Sequence, residues 1–184
     1  MGKSLEKTVS DLIDLFRPYA QNIQSVLDIG TGTSIPAHVL ADHFPNVSFH
    51  TIDVVDFRKR KKLPFVIYDG EHLPFDDLKF DVSLLNETLH HCKNPESLFR
   101  EAKRVAQSVY LIEHFLLPHA DMKEIIRTEF AALKRFEIPH QIYKPFYEKE
   151  LFSLFKKIGL DVWDTMKVPY YGKRKIVKFF FRLK

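Results

Sequence analysis

The stretch Val26-Leu27-Asp28-Ile29-Gly30-Thr31-Gly32-Thr33-Ser34 decides how this chain is built. Ser25 to Ile29 is a short apolar run with the length of a buried strand, and it ends in two glycines. Glycine lets a backbone turn sharply and approach a ligand with no Cβ in the way. Pro36 then suits the first turn of a helix that runs to His43, before Pro45-Asn46. A dinucleotide loop of the G-x-G-x-x-G kind would place its third glycine at position 35, where the chain has Ile35. Asp28, just ahead of the glycines, suits a ligand with a positive centre or an amino group.

Outward from this loop the pattern repeats. Leu5, Val9, Leu12, Ile13 and Phe16 recur at helical spacing over residues 1–20, and Pro18 is expected to stop that helix. Strands are expected at Val47–Asp53, Phe65–Tyr68, Phe80–Leu85 and Ser108–Glu113, with an amphipathic helix over Pro95–Ala106. Helices follow at Asp121–Phe136 and Tyr147–Ile158, then strands at Leu160–Val168 and Ile176–Leu183 around a turn at Gly172. Strands alternating with helices predict an α/β, doubly wound, mainly parallel sheet with helices on both faces. The last two strands are too close for a crossover helix, so they form an antiparallel hairpin. The connection Val54–Pro64 leaves room for about one helical turn.

The 184 residues fit a single domain, 1–184, able to bury a core without a disulfide or metal staple. Apolar residues at 45% and charged residues at 28% exclude disordered and collagen-like classes. No apolar run reaches the ~20 residues a bilayer requires, and the N-terminus has no signal-peptide core, so a cytoplasmic location is expected. Cys92 is the single cysteine, which rules out an internal disulfide. The net charge of +4 is local: 58–62 is five basic residues in a row, and 173–184 holds six more. Without those eleven, the body carries 17 basic against 24 acidic residues. The pI is therefore no argument for a nucleic-acid protein.

Two further acids stand at strand ends. Asp53 closes the second strand, where doubly wound folds bind the two hydroxyls of an adenosine ribose. Asp69, in Tyr68-Asp69-Gly70-Glu71-His72-Leu73-Pro74-Phe75, can accept from an adenine amine while Leu73 and Phe75 give apolar cover.

Together with Phe80-Asp81-Val82, Leu89-His90-His91 and Arg100-Glu101-Ala102-Lys103-Arg104-Val105, these segments resemble the class I S-adenosylmethionine-dependent methyltransferases. More narrowly they are similar to the methyltransferase type 11 group, which includes ubiquinone- and menaquinone-biosynthesis enzymes. The resemblance covers roughly Val26 to His114. It implies a Rossmann-like seven-stranded mixed sheet of order 3-2-1-4-5-7-6 with its last strand antiparallel. It also implies the cofactor S-adenosyl-L-methionine, with Asp28, Gly30, Thr31 and Gly32 at the methionine part and Asp53 and Val54 at the ribose. Asp69 and Gly70 then meet the adenine, and Asn86 takes the contact position after the fourth strand. Ser34 stands where the family usually has a third glycine.

Ligands in open α/β sheets sit beyond the carboxyl ends of the strands, which brings Asn86–His91 and Glu113-His114 to the transferred methyl. A base is needed only when the acceptor must lose a proton. His91 and His114 are the expected bases, with Glu113 able to orient a histidine or bind an amine. Residues 115–147 form an insertion after strand five, from which His140, Tyr143 and Tyr147 can close over a small-molecule acceptor. Glu87-x-x-His90 is a single ligand-spaced pair with no partner motif, so no metal is expected. Two alternatives stand beside the small-molecule enzyme: a non-catalytic cofactor-binding module, and an RNA-directed methyltransferase using the basic segments 58–62 and 173–184. An NAD(P)-dependent reductase is disfavoured, because the third glycine is missing and the Tyr171-x-x-x-Lys175 spacing falls in the terminal hairpin. The motif of nucleic-acid amino-methyltransferases, D/N/S-P-P-Y/F, is absent after strand four.

Overall fold

The computed structural model describes residues 3–116, 145–168 and 176–184, together with Lys123, Ile126, Arg127 and Lys134; side chains are described for 11–113, 116, 145–166 and 181–184 and for those four residues. The elements run α1 (Lys3–Ala20), β1 (Ser25–Ile29), α2 (Ile35–His43), β2 (Ser48–Asp53), β3 (Phe65–Ile67), β4 (Phe80–Asn86), α3 (Pro95–Val105), β5 (Ala106–Leu116), β6 (Phe146–Tyr147), α4 (Glu148–Ile158), β7 (Val162–Val168) and β8 (Ile176–Leu183). The sheet order is β3-β2-β1-β4-β5-β8-β7. β8 runs antiparallel to both β5 and β7, and β1 to β5 pair in parallel. This is the expected seven-strand order, with the numbers shifted by the two-residue β6. β5 extends beyond its last pairing with β4, Ile112 with Asn86, and β6 pairs with this overhang at Phe115 and Leu116.

The alternation of β5 shows how the layers form. Val109 and Leu111 pack with Leu98, Phe99, Ala102 and Val105 of α3 and with Leu151, Phe155 and Ile158 of α4. Tyr110 and Ile112 pack on the other face with Leu12, Leu15 and Phe16 of α1 and Leu40 of α2. Successive side chains of a strand point to opposite faces, so one strand serves two cores. Phe99, Phe155 and Phe181 meet edge to face in the first core, with centroids 5.5–5.6 Å apart.

Two expectations need correction. The α1 helix continues through Pro18 to Ala20. Proline there lacks only one late intrahelical donor, and packing of Leu12, Leu15 and Phe16 keeps the last turn in place. The Val54–Pro64 connection holds no helical turn at all. The expected helix 121–136, the residues His140 and Tyr143, the turn at Gly172 and the lysines and arginine of 173–175 lie outside the described residues or almost wholly so. Of the 115–147 insertion, only its two ends and four single residues are described. Among the described residues, no helix is long and apolar enough to cross a membrane.

Candidate cofactor site

The glycine loop is folded onto the end of β2 by its own backbone. Gly30 and Thr31 donate their N–H groups to Ile52 O at 2.9 and 3.2 Å, and Gly32 donates to Asp53 Oδ2 at 2.8 Å. Asp53 is buried, and its other oxygen accepts from Val54 N at 2.7 Å. The turn requires left-handed backbone at Gly30, Gly32 and Ser34, with φ of 71°, 56° and 58°. Gly30 is needed twice over, since a Cβ there would stand 2.3 Å from Thr88 Cγ2. Thr88 itself donates its hydroxyl to Ile29 O at 3.1 Å, which bolts the turn after β4 to the end of β1. A Cβ at Gly32 would meet nothing closer than the Phe57 ring at 3.8 Å. Its surroundings are open, as a ligand cradle requires.

Asp28 is buried beside this loop. Burial raises its carboxyl to about 7; the Asp53 carboxylate adds to the shift and the Thr31 hydroxyl opposes it in part. That hydroxyl falls short of hydrogen-bond geometry: Thr31 Oγ1 is buried without a partner. A buried acid and an orphaned hydroxyl on one loop fit a polar, cationic ligand group. Val54 and Gly70 stand side by side, with Gly70 at φ 86° and the position of its absent Cβ 3.3 Å from Val54 Cγ1. Asp69 is exposed, and its Oδ1 accepts from His72 N and Glu71 N at 2.8 Å each, which hold its carboxyl below the usual range. The following residues are fixed by Arg104, whose guanidinium donates to Leu73 O, Phe75 O, Asp77 and Glu101.

The structure thus gathers Asp28, Gly30, Thr31, Gly32, Asp53, Val54 and Gly70 at the carboxyl ends of β1 and β2, with Asp69 at the rim. Asn86 is the last residue of β4, paired with Ile112. Glu113 is fully buried and holds His90: His90 Nδ1 lies 2.8 Å from Glu113 Oε1, and His90 N donates to Oε2 at 3.3 Å. The His91 ring leans on His90 with centroids 4.1 Å apart. His114 sits opposite Lys178 in the β5–β8 ladder, and its side chain is outside those described. Glu87, His90 and Glu113 bring three donor atoms within 4.8 Å of one another. Two of the three, His90 and Glu113, are also hydrogen-bonded to each other. Burial, with Glu113 and Asp53 adding to it, pushes the Cys92 thiol up to about 12, so it stays protonated at neutral pH.

Two carboxylates, Asp56 and Asp42, engage three of the five residues of the basic segment. Arg58 forms a two-point contact with Asp56 at 2.9 and 3.1 Å and lies 3.8 Å above the Phe65 ring. Arg60 pairs with Asp42, and Lys61 with Asp56. At the other end, Arg182 lies over the Tyr19 and Trp163 rings and Lys184 over Trp163.

Thr88 and His38 are the residues that sequence reasoning missed. His38 is 2% exposed in α2; its Nδ1 donates to Ser34 O at 2.6 Å, and Nε2 accepts from Lys62 N at 3.1 Å and Leu63 N at 3.3 Å. Desolvation lowers its pKa, the Arg60 and Arg58 charges add to that, and the Ser34 carbonyl and Asp42 oppose it. The folded ring is neutral, whereas the unfolded one takes up a proton below about pH 6.5. Its contribution to stability is therefore complete above that pH and lost as pH falls toward the folded value. A protonated Nε2 would also confront two N–H donors. The wild-type Tm should drop more between pH 7.5 and 5.5 than that of His38→Gln; equal drops would remove His38 as the cause.

A family model described as a methyltransferase domain matches residues 27–109. The malonyl-[acyl-carrier protein] O-methyltransferase of Geobacter sulfurreducens is 25% identical over 162 residues, covering 79% of this chain and 60% of that protein. The ribosomal RNA small subunit methyltransferase G of Parabacteroides distasonis is 24% identical over 165 residues, covering 83% and 60%. The chain thus spans about 60% of the length of these curated relatives. Among solved structures, a SAM-dependent methyltransferase of Methanosarcina mazei superposes with a TM-score of 0.65 at 17% identity, over 92% of this chain and 95% of that one. The 1,6-didemethyltoxoflavin-N1-methyltransferase of Burkholderia thailandensis, solved with S-adenosylhomocysteine, gives 0.67 at 15% identity, over 95% and 76%. These structural likenesses carry the fold.

Proposed function

We propose that the chain, similar over residues 27–109 to a methyltransferase domain, is a class I S-adenosylmethionine-dependent methyltransferase of the type 11 group that methylates a small-molecule acceptor by in-line displacement. The observation that carries this reading is the buried Asp28 beside a loop whose Gly32 N–H is held by Asp53. When bound, S-adenosylmethionine supplies a methyl carbon on a positively charged sulfur, so no covalent enzyme intermediate is needed and positioning dominates. Asp28, Gly30, Thr31 and Gly32 take the methionine part, Asp53 and Val54 the ribose, and Asp69 and Gly70 the adenine. Asn86 lies between cofactor and acceptor. Glu113 orients a histidine, and residues 115–147 border the acceptor within a single domain.

One of these relatives bears a ribosomal RNA methyltransferase name, which supports the RNA-directed alternative. The internal pairing of Arg58, Arg60 and Lys61 favours the small molecule. Calorimetric titration with S-adenosylmethionine and, separately, NADH tests the assignment. Micromolar binding of the methyl donor alone is expected; binding of NADH alone would overturn it.

Asp28 adds a pH signature. With its carboxyl raised to about 7, the ligand-free protein holds this proton below neutrality, and a cationic ligand group favours the ionised form. Affinity should rise with pH up to about 7 and then level, weakening by up to about tenfold per unit below that value. Titrations at pH 6, 7 and 8 in buffers of different ionisation enthalpy read the released proton. Flat affinity across that range would exclude Asp28 from the cationic subsite.

A further inference from the structure

The connection 54–64 has no helix of its own, yet it is fastened to the glycine loop. Lys59 N donates to Thr33 O at 2.9 Å, and the Phe57 ring stands 3.8 Å from where a Cβ of Gly32 would be. The loop itself ends at Ser34 in left-handed backbone with φ 58°. A residue with a Cβ holds that conformation only where its surroundings impose it. The Ser34 side chain makes no cap to α2. His38, one turn along α2, reaches both the loop and the connection. Its Nδ1 and its main-chain N–H donate to Ser34 O at 2.6 and 3.2 Å, with the Ser34 hydroxyl 3.1 Å from the same Nδ1. Its Nε2 accepts from Lys62 N at 3.1 Å and Leu63 N at 3.3 Å. Main-chain N–H groups can only donate, so Nε2 carries the lone pair and the ring is the neutral Nδ1–H tautomer. An imidazolium has no acceptor to offer these two donors. The charges that face the ring are Asp42 on its own helix and Arg58 and Arg60 on the connection, and the two arginines oppose a further positive charge.

We propose that His38 is a positioning residue of the cofactor site: its neutral ring clamps the 54–64 connection to the glycine loop, and the site binds S-adenosylmethionine fully only while that ring is unprotonated. This rests on the methyltransferase reading above. Asp53 and Val54, read as the ribose contacts, lead into the connection, and the loop read as holding the methionine part ends at Ser34. One side chain therefore sets the spacing of the two halves of the cradle without touching the ligand. Protonation removes two accepted bonds at once and releases Lys62 and Leu63 from α2. Pro64 O stays held by Thr51 N and Oγ1 at 2.9 and 2.7 Å, so the release is confined to the connection and spares the sheet. Because the complex prefers the neutral ring, bound cofactor must in turn make the ring harder to protonate.

Imidazole NMR of the full chain, free and saturated with S-adenosylhomocysteine, tests the clamp without knowledge of the acceptor. Between pH 8 and 5, neutral His38 should show the Nδ1–H tautomer, and its titration midpoint should lie lower in the complex than in the free protein. A coupling of about fivefold, the low end for linked sites, moves the midpoint by about 0.7 of a pH unit. The ring signals report His38 itself, whereas affinity alone would also follow Asp28. His38→Leu should weaken S-adenosylhomocysteine binding about tenfold at pH 7.5, the equivalent of one net hydrogen bond. Amide exchange at Lys62 and Leu63 should accelerate in that variant while the β4 and β5 amides stay protected. His38→Gln, whose Oε1 can accept the same two N–H groups, should recover most of the lost affinity. An Nε2–H tautomer, an unmoved midpoint in the saturated complex, wild-type affinity in His38→Leu, or no recovery in His38→Gln overturns the clamp and leaves the methyltransferase reading intact. A wild type that binds neither S-adenosylmethionine nor S-adenosylhomocysteine in calorimetry overturns both. If the ring stays neutral to pH 5 in both states, the two variants decide; if His38→Leu fails to fold, the midpoint does.

Discussion

Gly30→Ala is expected to eliminate measurable S-adenosylmethionine binding and to destabilise the fold by about 2–5 kcal/mol, from backbone strain and overpacking together. The new Cβ would sit 2.3 Å from Thr88 Cγ2 and 2.8 Å from Thr88 Oγ1 on a backbone at φ 71°. Neither neighbour can yield cheaply, because Thr88 Oγ1 is bonded to Ile29 O. The double variant Gly30→Ala/Thr88→Ala separates the two costs: the clashes with Cγ2 and Oγ1 are removed, leaving the 3.1 Å approach to Cβ and the φ strain. A coupling of about 1–3 kcal/mol between the sites is expected from urea unfolding of the four proteins, as for residues in direct contact. Additive effects would mean that the turn after β4 does not press on the glycine loop in solution.

Asp53→Ala should lower S-adenosylmethionine affinity by at least about 100-fold, equivalent to about 2.7 kcal/mol. The loss has two sources. The ribose hydroxyls lose their acceptor, and the Gly32 and Val54 N–H groups lose theirs. Charge-assisted bonds of this kind contribute about 1.5–3 kcal/mol each, so the loop should loosen even before ligand is added. Amide exchange at Gly32 and Val54 should accelerate in the variant while the β4 and β5 amides stay protected. Asp53→Asn should fall between, since one oxygen keeps an acceptor and the amide nitrogen opposes a donor. Wild-type affinity in Asp53→Ala would remove this residue from the site.

The parts of this molecule that were legible in the sequence are those governed by local rules. The strand, double glycine and Pro36 announce the β1–α2 turn within about ten residues, and the closeness of Val162–Val168 to Ile176–Leu183 in sequence leaves only a hairpin. Asp28 stands out in the sequence because it precedes the two glycines, and Asp53 because it ends a strand. What escaped depends on contacts with no local signature. Thr88 reaches Ile29 across 59 positions and His38 reaches Lys62 across 24, and nothing near either residue marks the partner. The sequence marks Glu113 as able to orient a histidine, yet it does not distinguish the adjacent His90 and His91. Only the 3-10 turn Leu89–His91 separates them, by pointing the first at β5. The length of α1 beyond Pro18 likewise comes from its packing on Phe44, Phe49 and Tyr110.

The position of β8 bears on how the chain is made. It is last in sequence order, yet it lies between β5 and β7 rather than at a margin. During synthesis every earlier strand leaves the ribosome before the one that joins β7 to the rest. Until then β5 offers an open row of N–H and C=O groups from Val109 to Leu116, the stretch that β8 later occupies. Such a row is a template for any passing strand, and contacts that close this late in the chain also slow folding. A nascent chain halted before Ile176 would therefore present a sticky, unfinished sheet, and the interval before β8 emerges is when this protein most needs a chaperone's cover.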